Sequence, residues 1–137
     1  MNAVETNILI YVHDPRDANK QAVASDLVEQ MDDGLLLRQV VCEFLAASRK
    51  LAKLGYNFDQ ALADVRILMT GWSTALPSWR VLDRAMHLLA RYGLSYWDSM
   101  LAAACLEAGA EMLYSEDFGD LTEIDGLKLV NPFLPVK

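Results

Sequence analysis

Glu5, Glu43, Asp98 and Asp117 are four acids set in predominantly apolar stretches of the chain. Moving an ionised carboxylate from water into a low-dielectric interior is very costly unless a cation or hydrogen-bond donors meet it. Brought together in space, four such groups would repel one another unless a divalent cation sat among them. Each also has a plain structural reading. Glu5 can be a strand-end residue paired with a Lys or Arg. Glu43 can be a first-turn glutamate that the helix dipole stabilises by up to roughly 1 kcal/mol. Asp98 stands three residues after Ser95, the spacing of a capping box, so both a cap and a ligand reading stand for it. Asp117 and Asp120 flank Gly119 as turn residues commonly do.

A carboxylate set with no histidine or cysteine among it is a hard-oxygen environment, which suits Mg²⁺ or Mn²⁺ rather than zinc. His13 and His87 have no metal-ligand spacing between them and read as surface or packing residues. No Ser, Thr, Cys or Lys forms a convincing nucleophile with an adjacent base, which disfavours a covalent mechanism. The chain has no phosphate-binding glycine loop, no repeats and no low-complexity segment.

Chain length and composition bound these options. A chain of 137 residues reads as a single domain over 1–137, long enough to bury one core. No apolar run approaches the roughly 18 residues of a membrane span, and the N-terminus has no signal-peptide pattern, so a soluble cytoplasmic protein is expected. Cys42 and Cys105 each lie in an apolar helical stretch and are expected as buried free thiols. A net charge of −7 argues against nucleic-acid binding through a broad basic surface. It leaves room for a nuclease, because four acids around a metal account for part of the surplus and the metal meets the phosphate.

The elements that must position these acids follow from periodicity. Val23, Leu27 and Met31 mark a helix over 18–31, closed by Asp32-Asp33-Gly34 with the glycine in the left-handed conformation. Leu35 to Leu37 reads as a buried strand. Val40, Val41, Phe44, Leu45, Ser48, Leu51 and Ala52 trace one face of a helix over 39–54, with Gly55 as its stop. Further helices are expected over 57–69, from the N-cap Ser78 to Arg91, and from Ser95 to Gly109. In the last of these Asp98, Leu101, Ala102 and Cys105 share the inward face. Short strands are expected near 73–76, over 111–115 and over 127–130. Ile8 to Val12 reads as a strand by propensity alone. This alternation favours a parallel sheet covered by helices, in which ligands gather beyond the carboxyl ends of the strands, where Glu116 and Asp117 emerge.

Glu5-Thr6-Asn7 followed by an apolar run resembles the opening acid–Thr/Ser–Asn signature of PIN-domain nucleases, especially the VapC toxins of bacterial toxin–antitoxin pairs. The Gln39-to-Phe44 segment, Tyr96-Trp97-Asp98 and Tyr114-Ser115-Glu116-Asp117 resemble that family's second, third and fourth motifs, in order, over essentially the whole chain. The resemblance implies a three-layer α/β/α sandwich with a central, mainly parallel sheet, in which Ile8 to Val12 belongs to a short helix. It implies that Glu5, Glu43, Asp98 and Asp117 hold Mg²⁺ or Mn²⁺ and carry catalysis. Thr6, Asn7 and Ser115 would orient them, with Asp120 as an accessory. It further implies cleavage of single-stranded RNA, a cognate antitoxin and a homodimer. The family has Asp where this chain has Glu5. The charge is kept and the arm lengthened by one methylene, so a working but weakened or Mn²⁺-favouring site is expected; a catalytically silent module that binds a protein partner is the alternative.

Overall fold

The computed structural model describes residues 1–135. Six strands form one sheet: β1 (Asn2–Val4), β2 (Gly34–Leu37), β3 (Ser73–Ala75), β4 (Met112–Tyr114), β5 (Glu123–Ile124) and β6 (Leu127–Val130). Their order across the sheet is β3-β2-β1-β4-β6-β5, and every pairing is parallel except that of β5 with β6. The central strands are nearly solid apolar runs, as expected of parallel strands covered on both faces. Ala3 stands between Leu35 and Leu113 in register, and all three are buried.

Six α-helices connect the strands among the described residues: α1 (Thr6–His13), α2 (Ala18–Gln30), α3 (Arg38–Ser48), α4 (Phe58–Gly71), α5 (Trp79–Tyr92) and α6 (Tyr96–Glu107). Parallel crossovers are right-handed. The two steps from β1 to β2 to β3 run one way across the sheet and put α1 to α4 on one face, whereas the return from β3 to β4 puts α5 and α6 on the other. The helix contacts agree: α1 packs on α2 and α3, α3 packs on α4, and α5 packs on α6. This is the expected three-layer arrangement. No helix of the described residues is long and apolar enough to cross a membrane.

Several local expectations change. Ile8 to Val12 is helical despite its strand propensity, because Ile8 and Leu9 turn into the core on one side of α1. The 39–54 helix is α-helical only to Ser48 and continues as a 3₁₀ turn over Arg49–Leu54 before Gly55, whose φ is +92°. Ser78 occupies the N-cap position of α5 but makes no side-chain cap bond. Cys105 is buried as expected, whereas Cys42 points outward from α3 and is exposed. The β5–β6 hairpin, turning at Asp125 (φ +47°) and Gly126 (φ +93°), adds a strand that strand periodicity had not marked.

Gly34 has a different role from the one its position suggested. Helix α2 ends at Met31, and Gly34 opens β2 without a left-handed backbone. It is there because the Trp72 indole lies flat against it: a Cβ at Gly34 would come within 2.2 Å of the ring. The Trp72 Nε1–H donates to the Met31 carbonyl at 3.1 Å, which fixes the ring in place. Gly34→Ala is therefore expected to destabilise the fold by about 1–3 kcal/mol through overpacking, read as a lower thermal midpoint by circular dichroism. An unchanged midpoint would mean that the indole shifts at no cost.

Candidate active site

Strand β1 is where the order of the sheet reverses: the chain leaves it toward β2 on one side and returns as β4 on the other. Loops part at such a point and leave a crevice at the carboxyl ends of the strands. Glu5 directly follows β1 and Ser115 directly follows β4. Their backbones are pinned to the sheet, since Glu5 N–H donates to Tyr114 O at 3.0 Å and Ser115 N–H to Val130 O at 2.9 Å. The first turn of α1 adds Thr6 and Asn7, α3 adds Gln39 and Glu43, and the start of α6 adds Trp97 and Asp98.

Glu5, Glu43, Asp98 and Asp117 line one cavity of about 500 Å³, together with Thr6 and Asn7. Ser115 lies buried behind Glu5, while Asp120 is exposed and outside the cavity lining. His13 is also elsewhere, stacked on Tyr56 at 4.1 Å between ring centres with Nε2 3.5 Å from Asp64, and His87 is on the surface.

Hydroxyl and amide groups hold the acids in place. Thr6 Oγ1 donates to Glu43 Oε1 at 3.1 Å, and Asn7 Nδ2 donates to Asp117 Oδ2 at 3.4 Å. The Ser115 hydroxyl donates to Glu5 Oε2 and accepts from the Asp117 N–H at 3.1 Å, so one serine joins two of the acids. For Asp98 the two sequence readings prove compatible. Its backbone N–H donates to Ser95 Oγ at 3.2 Å, closing half a capping box, and its carboxylate lines the cavity. Next to Asp117, Glu116 accepts from the Tyr11 hydroxyl and from Lys20 Nζ at 2.9 Å. Phe133 meets the Tyr11 ring edge-on at 5.3 Å, and Lys20 lies over both rings.

Glu5 is the constrained member. It is 6% exposed, and its Oε1 is buried with no hydrogen-bond partner among the described residues. Burial pushes its carboxyl up to about 8; the adjacent Asp117 carboxylate and the charge of Asp98 push the same way, and the Ser115 hydroxyl pulls back. An orphaned buried oxygen facing other carboxylates is a donor set with no counter-charge, and its all-oxygen chemistry fits a hard divalent cation. As the side chains stand, no three His, Cys, Asp or Glu groups among the described residues close up around one point. Glu43 and Asp117 each accept a hydrogen bond, from Thr6 and Asn7 respectively.

Two residues of the cavity escaped the sequence reading. Lys50 is the one cation in its lining among the described residues. Its signal was the stripe Glu43, Ala46, Ala47, Lys50, which repeats at helical spacing on one face. Gln39 did more than open a motif: its Nε2 donates to the Trp97 carbonyl at 3.2 Å and ties the start of α3 to the start of α6 across the crevice.

Residues 3–127 match the family model of the PIN domain, and the chain belongs to that family. Its fold is that of several solved structures. A toxin–antitoxin complex from Klebsiella pneumoniae superposes with a TM-score of 0.69 at 18% identity, covering 96% of this chain and 98% of that one. VapC20 of Mycobacterium tuberculosis, described as a sarcin–ricin loop cleaving toxin, gives 0.68 at 18% identity, covering 88% and 92%. VapBC2 of Rickettsia felis, solved bound to a DNA fragment from its promoter, gives 0.64 at 16% identity, covering 95% and 97%. Among curated proteins no sequence match was found.

The raised Glu5 carboxyl sets a pH dependence. The folded state keeps a proton that the unfolded chain has lost, so without divalent cations the contribution of Glu5 to stability is most favourable at low pH and falls as pH rises from about 4.5 to about 8. Glu5→Gln, neutral at every pH, is expected to flatten that slope and to raise stability at pH 8 by a few kcal/mol. Urea unfolding of both proteins in chelator at pH 5 and pH 8 is the check. An identical slope in the two would show that Glu5 does not carry the strain.

Proposed function

We propose that the chain is a metal-dependent endoribonuclease, the toxin of a type II toxin–antitoxin pair, acting on single-stranded RNA in the cytoplasm. The observation that carries this reading is the convergence of Glu5, Glu43, Asp98 and Asp117 on one cavity at the switch point of the sheet, with Glu5 Oε1 buried and unpartnered. Mg²⁺ or Mn²⁺ held by these four acids would supply charge stabilisation and an activated water for attack on a phosphodiester. The chain's own residues prepare the place. Ser115 holds one oxygen of Glu5 and leaves the other free. Thr6 and Asn7 fix the rotamers of Glu43 and Asp117, and outer partners of this kind typically matter 10–100-fold in affinity or activity. The proton that Glu5 keeps near neutral pH would have to leave for Glu5 to hold a cation.

The proposed partners are a small antitoxin and a second copy of the chain. The acid cavity and the overall charge of −7 suit an antitoxin that lays a basic side chain among the carboxylates. Trp79 and Met86, both exposed, offer apolar surface for self-association.

Asp98→Asn removes one charge without changing shape. It is expected to reduce cleavage of a defined single-stranded RNA by about 10²-fold or more while leaving the circular dichroism spectrum intact, with the wild type faster in Mn²⁺ than in Mg²⁺. Wild-type rates in the variant would remove Asp98 from the site. Inactivity of the wild type in both metals would favour the catalytically silent, partner-binding module. For the partners, light scattering is expected to give a dimer, and co-expression with a small protein encoded beside it is expected to give a complex with suppressed cleavage. A monomer that no neighbouring product binds would overturn this assignment.

A further inference from the structure

Trp97 stands on the boundary between two cavities. The residue is 61% exposed, and it lines both the acid cavity and an adjoining cleft of about 520 Å³. The cleft is walled mainly by apolar side chains, among them Leu37, Leu76, Val81 and Met100. Its volume lies within the range of about 300–1,000 Å³ usual for ligand-binding clefts. Gln39 and Glu43 also line both, so the two spaces adjoin at Glu43.

The indole is exposed but not loosely placed. The Gln39 amide grips the Trp97 backbone carbonyl at 3.2 Å, and the Tyr96 ring stands edge-on to the indole with centroids 4.9 Å apart. A large flat π-face is therefore presented beside the carboxylates on a pinned helical turn. On the α3 side of the acid cavity Lys50 supplies its single positive charge among the described residues. A strand of RNA whose phosphate enters the acid cavity must put a neighbouring base close to Trp97, with Lys50 placed to meet another phosphate.

We propose that Trp97 is a substrate-binding platform on which the unpaired base next to the scissile phosphate stacks, reaching into the apolar cleft. This rests on the ribonuclease reading given above and adds to it the reason that the substrate is single-stranded. A base in a duplex has both faces covered and cannot lie on an indole, whereas an unpaired base can be splayed out onto one. The overall charge of the chain sharpens the point: a net −7 argues against a broad basic surface to draw in a phosphate backbone, which leaves stacking a large share of the affinity. Stacking accepts any base face, so Trp97 selects strandedness rather than sequence.

The experiment pairs protein variants with abasic RNA. On a single-stranded oligoribonucleotide with a mapped cut site, Trp97→Ala is expected to lower kcat/KM by about 5- to 150-fold, and Trp97→Phe to restore most of it. Removing the base on one side of the scissile phosphate should weaken wild-type cleavage by a similar factor and leave Trp97→Ala nearly indifferent. Mn²⁺ affinity by calorimetry should be the same in all three proteins, which separates stacking from damage to the acid cavity. An abasic penalty that persists in full in Trp97→Ala, or a variant that cuts at wild-type rate, overturns the inference and leaves the nuclease reading standing. A variant with normal cleavage that loses self-association or partner binding would make the cleft a protein surface and also overturn it. A wild type that cuts no RNA overturns the nuclease reading itself, and this inference with it.

Discussion

A carboxylate held out of water between two parallel strands governs the architecture around it. Glu5 sits at the N-cap position of α1 yet makes no side-chain cap bond there, so its charge is directed into the crevice. Its surroundings then have to manage like charges in close company. Ser115 satisfies one oxygen, the short loop after β4 brings Asp117 alongside, and α3 and α6 close the cavity with Glu43 and Asp98. Such an arrangement is poor for stability taken alone, because each acid raises the cost of ionising its neighbours.

The topology makes this concentration possible with little long-range design. Because β1 and β4 are neighbours reached from opposite directions, the residues just past their ends meet without either loop having to travel. The helices on both faces start at that same edge of the sheet, so α1, α3 and α6 each bring an early turn to the crevice. The four acids are spread from residue 5 to residue 117 in the chain and become one cavity through strand order alone.

How much of this could be read from the sequence depended on the physics behind each signal. The parallel sheet was legible in the buried apolar runs, and the family in four short motifs. Ile8 to Val12 misled by propensity, because burial of Ile8 and Leu9 overrides the strand preference of β-branched residues. Gly34 misled because a glycine after a helix looks like a stop, whereas its reason is a ring arriving from residue 72, which no local pattern reveals. The β5–β6 hairpin was missed although Asp125-Gly126 is the pair such turns prefer; its strands are too short for alternation to show. Cys42 was placed inside because its neighbours are apolar, but the helical face that carries Val40 and Phe44 turns it outward. In the site, the side-chain roles of Thr6, Asn7 and Ser115 followed from resemblance, whereas Lys50 needed the curvature of a helix to be seen.

The contact between Tyr11, Lys20, Glu116 and Phe133 ties parts of the molecule that are far apart in sequence. Phe133 lies beyond the last strand, Tyr11 and Lys20 belong to the first two helices, and Glu116 precedes Asp117 by one peptide bond. The segment that follows the sheet therefore acts as a guy rope on the loop that carries an acid of the cavity. Phe133 thus reaches the neighbour of Asp117 through two intermediaries, Tyr11 and Lys20, and a cavity of carboxylates has an anchor outside its own lining.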